Sequence, residues 1–323
     1  MQAMRTISAA VVFVCAAIGL LQPAFGQEPC ASGPNKLGVA RTATIDTSNG
    51  SKFGGQYKDG AFLGDGEVVL TFDDGPSRPY TRPILEALAA HCTKAIFFMV
   101  GRMAIADPEL VKEVARHGHT VATHTWSHSN LQGVSPQKAQ AEIEMGFSAV
   151  QQALGKPVAP FFRFPYLRDT AASLGYLRGR QLAAFSIDID SRDFETKDAT
   201  AVHERVLREL AARRRGIVLF HDIHASTAKA LPGLLAALKV KGFKIVHIRP
   251  KADVETLADY DALAKQEAER KRLAATGHPL AKRALAWPST LLSETKTAEP
   301  DNGPPAPAGG PDEDDWRASI WRQ

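Results

Sequence analysis

Val68-Val69-Leu70-Thr71-Phe72-Asp73-Asp74-Gly75-Pro76-Ser77 is an apolar run of strand length that ends in two adjacent carboxylates and an immediate Gly-Pro turn. Carboxylates at a strand tip are placed for chemistry. Taken alone, Asp-Asp is more often a turn or a cap, because neighbouring strand residues point to opposite sides. Further along, His124-Thr125-Trp126-Ser127-His128 supplies two imidazoles four positions apart, which one helical turn would aim at a common point. A carboxylate with two imidazoles is a zinc-type ligand set that leaves a coordination position open for water.

Outward from that stretch, short apolar runs alternate with helical patterns. The runs are Val68–Phe72, Ala95–Val100, Thr120–His124, Phe161–Phe164, Ala183–Ile189, Ile217–Phe220 and Phe243–Ile248, each of the length expected for a buried parallel strand. Helices are predicted over Pro83–His91, Pro108–His117, Pro136–Leu154, Ala201–Arg215 and Ala228–Lys241. The third has Ser135 as its N-cap, proline at the first helical position and Gly155 past its end. The alternation implies an α/β fold with a central parallel sheet, either a barrel or an open doubly wound sheet. Asp73 and Asp74, His124, Arg163, Asp190 and Asp193, and His221 all fall at or just past C-terminal ends of runs, the face on which barrel enzymes build their sites.

These residues carry a resemblance. Thr71-Phe72-Asp73-Asp74-Gly75, His124-Thr125-Trp126-Ser127-His128, Arg163-Phe164-Pro165-Tyr166, Asp190-Ser191-Arg192-Asp193-Phe194 and Leu219-Phe220-His221-Asp222 resemble, in order, the five motifs of the polysaccharide deacetylases, carbohydrate esterase family 4. The likeness runs roughly from Glu67 to Ile248. It implies a distorted (β/α)7 barrel and one divalent metal ion, zinc first, with cobalt or nickel as other candidates, held by Asp74, His124 and His128. Asp73 is then the general base, oriented by Arg163, and His221 the general acid, its pKa raised by Asp193. Tyr166 offers its backbone N–H to the oxyanion, and Leu219 lines the acetyl pocket. The cation would pull the Asp73 pKa down. Phe194 stands where the family commonly has tryptophan, and Leu167 where a small residue is frequent. The remaining histidines read as structural or surface groups, His224 being the nearest exception.

Composition narrows the class. The 323 residues carry 39 basic and 35 acidic side chains, a net charge of +4, and Arg213-Arg214-Arg215 reads as the solvated end of a helix, so no nucleic-acid partner is expected. Arg5, the uncharged run Thr6–Leu21 and the small-x-small site Ala24-Phe25-Gly26 have the layout of a secretory signal peptide, shorter than the roughly 20 residues of a spanning helix. The expected organisation is a signal over 1–26, an N-terminal extension over 27–65 that wraps the domain, a catalytic domain over 66–250, and a charged helix with a disordered Pro- and acid-rich tail over 251–323. Trp316 and Trp321 lie in that tail. Removal of Cys15 with the signal would leave Cys30 and Cys92 as either one disulfide, closing a loop worth about 4 kcal/mol, or a mobile thiol and a buried one.

The function expected is that of an exported, periplasmic or secreted hydrolase. It would remove N-acetyl groups from an amino-sugar polysaccharide or oligosaccharide, with no membrane attachment after signal cleavage. O-deacetylation of a xylan-type polymer is the nearest alternative, since the same motifs serve esters. A catalytically weak sugar-binding or scaffold protein has no need of both Asp73 and His221, and a metal phosphoesterase would bring a phosphate-cradling Gly-rich loop.

Overall fold

The computed structural model describes residues 33, 36–57 and 62–277. The signal region, Cys30, His278 and the tail with its two tryptophans lie outside the described residues. In chain order the elements are β1 (Arg41–Ile45), β2 (Lys52–Phe53), β3 (Glu67–Asp73), α1 (Arg78–Ala90), β4 (Ile96–Met99), α2 (Gly101–Ala106), α3 (Pro108–Arg116), β5 (Thr120–Thr123), α4 (Pro136–Leu154), β6 (Phe161–Phe162), α5 (Ala171–Gly179), β7 (Ala183–Phe185), β8 (Ile189–Asp190), α6 (Ala199–Arg213), β9 (Gly216–His221), α7 (Ala225–Val240), β10 (Lys244–Pro250) and α8 (Ala258–Ala275).

All strand pairings are parallel. β3 is central: its residues 71–73 align with 96–98 of β4, and its residues 68–73 align with 216–221 of β9. From β4 the sheet continues through β5, β6 and β7, and from β9 to β8. Among the described residues no pairing joins β7 to β8, so the ring of strands β3 to β9 is a distorted barrel that stays open at this seam. The predicted run Ala183–Ile189 thus divides into two strands. Its middle bends because the carbonyls of Phe185 and Ser186 accept hydrogen bonds from the Arg163 guanidinium. The predicted run Phe243–Ile248 corresponds to β10, which meets β3 at only Lys244 and Ile245 and takes β1 on its other side.

Strand periodicity sorts the core. Val68, Leu70 and Phe72 face the helices and join Ile84, Leu88 and Leu234, with Phe72 stacked between Phe97 and Phe220 at centroid distances of 4.9 and 5.5 Å. Val69 packs in the second cluster with Ile96, Phe98, Phe161, Phe185 and Ile217, inside the ring. Each such side chain contributes about 1.5–3 kcal/mol on burial. Thr71 and Asp73 follow Val69 in phase, so the strand delivers Asp73 to the inner face at its C-terminal end.

The helices depart from expectation in three places. α1 begins at Arg78, so Pro83 lies inside it and removes one helical hydrogen bond instead of starting the helix. α2 and α5 were not legible from apolar spacing, since α2 is one and a half turns long and α5 carries Gly175 and Gly179. Instead, α5 starts on its cap, Thr170 Oγ1 accepting from Ser173 N. α4 has the predicted ends: Ser135 Oγ accepts from Lys138 N, and Gly155 closes it at a φ of 73°. Cys92 is disulfide-bonded.

Candidate active site

Because every strand runs the same way, the tips of β3, β5 and β9 open on one end of the ring and carry Asp73, His124 and His221. Asp73 and His221 occupy paired positions on neighbouring strands. Asp74 would point away from them if the strand continued, but it leaves the strand at a φ of 76° and turns toward the same end.

Arg163 lies behind Asp73 and is fully buried. Its Nη1 donates to Asp73 Oδ1 at 2.7 Å and to Thr71 Oγ1 at 2.8 Å, and its Nε and Nη2 donate to the carbonyls of Phe185 and Ser186. The guanidinium also lies 4.2 Å from the centre of the Phe98 ring. Thr71 Oγ1 in turn donates a hydrogen bond to the Val218 carbonyl at 2.7 Å. Asp73 Oδ1 is therefore committed to Arg163, while Oδ2 lies 3.8 Å from His124 Nε2. Burial lifts the Asp73 pKa to about 6 against the pull of Arg163 and His221; a cation beside it would act in the opposite direction.

His124 Nδ1 lies 2.8 Å from the Arg163 carbonyl, a bond that fixes the proton on Nδ1 and leaves the lone pair on Nε2. Burial presses its pKa down to about 3, so the ring is neutral. The step to His128 is not the expected helical turn. Residues 124–130 form a loop that doubles back through left-handed Thr125 and His128, at φ of 64° and 61°, with His128 N donating to Thr125 Oγ1. Asp74 Oδ1 is buried without a hydrogen-bond donor and faces His128 Nε2 at 3.1 Å and His124 Nε2 at 3.5 Å. Burial pushes the Asp74 pKa up, but His128, His221 and His124 outweigh it and hold the carboxyl well below the usual range. Asp74, His124 and His128 thus bring their ligand atoms within 4.8 Å of one another, a carboxylate oxygen and two imidazole nitrogens that fit a divalent cation.

On the other side of Asp73, His221 Nδ1 meets Asp193 Oδ1 at 2.6 Å. Asp193 Oδ2 accepts from His221 N at 2.7 Å and from the Thr227 hydroxyl. Burial presses the His221 pKa down, but Asp193 first, with Asp74 and Asp73 behind it, raises it to about 10. Phe194 is 52% exposed and sets its edge against His221 at 5.6 Å, and His224 approaches the same ring at 5.7 Å. Leu219 is buried on β9 beside Thr71 of β3. Tyr166 and Leu167 adopt successive φ values of 59° and 57°, and the Tyr166 ring meets His128 edge-on at 4.8 Å. At position 167 the left-handed backbone costs Leu167 about 1–2 kcal/mol through its Cβ, a cost only glycine would escape.

Sequence reading missed the group that holds the histidine loop. Glu142 on α4 is buried and accepts from Ser127 N at 2.9 Å and Ser127 Oγ at 2.8 Å, while its carbonyl accepts from Trp126 N. One turn on, Gly146 gives the loop room: a Cβ there would lie 2.8 Å from the Thr125 carbonyl carbon. The signal was an acidic residue in phase with the apolar positions of α4.

Residues 63–182 match the family model for polysaccharide deacetylase. A peptidoglycan N-acetylglucosamine deacetylase of Listeria monocytogenes is 35% identical over 56% of this chain, which covers 38% of that protein's own length. A chitooligosaccharide deacetylase of Bradyrhizobium is 31% identical over 58% of this chain and 90% of its own. Among solved structures, a peptidoglycan deacetylase of Bdellovibrio bacteriovorus superposes with a TM-score of 0.62 at 33% identity, over 68% of this chain and 61% of that one.

Proposed function

The chain belongs to the polysaccharide deacetylase family, and on that premise we propose that it is a metal-dependent hydrolase removing N-acetyl groups from an amino-sugar polymer or oligomer of peptidoglycan or chitooligosaccharide type. The observation that carries this reading is the paired setting of Asp73 and His221 beside the Asp-His-His set, each with its own buried orienting partner.

Amide hydrolysis requires water to lose a proton, the carbonyl oxygen to gain negative charge, and the departing amine to gain a proton. Arg163 holds Asp73 by Oδ1, so Oδ2 takes the proton of the attacking water. When bound by Asp74, His124 and His128, a divalent cation, zinc first for this N,N,O set, supplies Lewis acidity that polarises the carbonyl and brings the pKa of water to about 7. The Tyr166 backbone N–H donates to the developing oxyanion. His221, with Nδ1 committed to Asp193, gives the proton on Nε2 to the amine nitrogen as the C–N bond breaks, which releases acetate and the free amino sugar. Leu219 accommodates the acetyl methyl, and Phe194 gives the sugar an apolar face.

Export to the periplasm or the exterior is part of this proposal, supported by the charge pattern of residues 1–26. No helix among the described residues is long and apolar enough to cross a membrane. The test is acetate release from chitooligosaccharides, peptidoglycan and acetylxylan, with and without a chelator. Release from the amino-sugar substrates that chelation abolishes is expected. Release from acetylxylan alone, from none of the three, or undiminished by chelation would overturn the proposal.

A further inference from the structure

The family match begins at residue 63, yet a segment ahead of it is built into the site. β2 pairs with β7, and the chain then passes so close to the bend after β7 that Gly54, at a φ of 100°, leaves a Cβ only 2.6 Å from the Ser186 carbonyl carbon. Ser186 N donates to Phe53 O at 2.7 Å, and Gly55 N to Ile187 O at 2.9 Å. Ser186 is the residue whose carbonyl accepts from Arg163 Nη2. Its hydroxyl donates to Gln56 Oε1 at 3.0 Å.

The same segment reaches the loop that carries Tyr166. Gln56 Nε2 and the Tyr57 hydroxyl both donate to Asp169 Oδ2 at 2.8 Å. The Asp169 carbonyl accepts from Gln132 Nε2 at 2.9 Å, just past the histidine loop. Burial and Asp169 hold the Tyr57 pKa far above its ordinary value, so the hydroxyl keeps its proton and remains a donor. Three parts of the site therefore meet at Asp169: the back of Arg163 through Ser186 and Gln56 at its carboxylate, the Tyr166 loop through Asp169 itself, and the end of the histidine loop through Gln132 at its backbone carbonyl.

We propose that Gln56, Tyr57 and Asp169 are positioning residues of the deacetylation reaction, with the segment Lys52–Tyr57 serving as a brace that fixes Arg163 and the Tyr166 loop relative to each other. This rests on the function proposed above. None of the three touches the reacting atoms, so their effect lies in how closely Asp73 and the oxyanion donor are held to productive geometry.

Tyr57→Phe deletes one hydroxyl and keeps the ring, and Gln56→Met keeps the length of an exposed side chain while removing its hydrogen bonds. Loss of one charge-assisted tie predicts a kcat about fivefold to tenfold lower for each, with KM and melting midpoint near the wild-type values. Hydrogen exchange of the 163–170 peptide should accelerate in both. The double variant should lose less than the product of the single losses, since both donors serve the same oxygen. A role in packing alone would lower the melting midpoint and spare kcat, and that result overturns the proposal. Wild-type protein that releases no acetate counts against the proposed function instead. The exchange readout then still decides the brace: unchanged protection of 163–170 in both variants overturns it.

Discussion

At the scale of single residues, the two groups proposed to transfer protons, Asp73 and His221, differ in what holds them, and this gives separable expectations. His221 ionises at about 10 when folded, against 6.5 ordinarily, while Asp193 is held below its ordinary 3.8. A raised basic group contributes its stability fully below pH 6.5 and loses it as pH rises through about 10, whereas the lowered carboxyl contributes above 3.8 and loses it on acidification. Asp193→Asn should therefore flatten the fall in stability between pH 6.5 and 10, read as denaturation midpoints across that range, and move the alkaline limb of activity to lower pH. An alkaline limb unmoved by Asp193→Asn would deny His221 the acid role. His221→Ala should hurt an N-acetyl sugar more than an activated aryl acetate, whose leaving group needs no proton; equal losses on both would deny it too. The residues proposed for this chemistry stood out in the sequence because they lie at or just past the ends of apolar runs, in recognisable motifs. The roles of Thr71, Ser186 and Asp169 were not legible, since they act through a hydroxyl, a backbone carbonyl and a carboxylate whose partners lie far away in the chain, which leave no periodic trace.

At the scale of elements, the strand–loop–helix unit from Thr120 to Leu154 is the most exposed to test. Spacing suggested that one helical turn would converge His124 and His128, but the convergence comes from a left-handed loop clamped by α4. The four-residue interval was informative, and the mechanism inferred from it was not, because Glu142 and Gly146 contact the loop only through tertiary packing. Gly146→Ala should destabilise the fold by about 1–3 kcal/mol by driving a methyl against Thr125. Glu142→Gln should keep the fold but weaken metal binding by about tenfold or more, because Ser127 loses a charged acceptor between the two histidines. Titration calorimetry with zinc would decide this, and affinity equal to wild type would show that Glu142 serves stability alone. The bend after β7 teaches the same lesson: Ala183–Ile189 reads as one strand, but the Arg163 guanidinium takes the carbonyls of Phe185 and Ser186 at its middle, a tertiary demand that apolar spacing does not show.

At the scale of the whole molecule, strand–helix alternation was enough to give a parallel α/β fold with its polar residues at one end, and it missed that the ring stays open between β7 and β8. β1 and β2 come from a stretch too poor in apolar residues to announce strands, and they form because β10 and β7 offer unpaired edges. Cys92 is disulfide-bonded, so Cys92→Ser should lower stability by about 2–4 kcal/mol, and a reductant should lower the wild-type melting midpoint without affecting the variant. A midpoint insensitive to reductant would assign Cys92 no stabilising bond. The division of labour between the two aspartates governs everything proposed for the site, and the direct measurement is metal content together with acetate release in Asp73→Asn beside Asp74→Asn. Asp73→Asn is expected to retain about one divalent ion per chain and lose turnover, while Asp74→Asn loses both. Metal lost from Asp73→Asn and retained by Asp74→Asn would contradict that assignment at its two central residues.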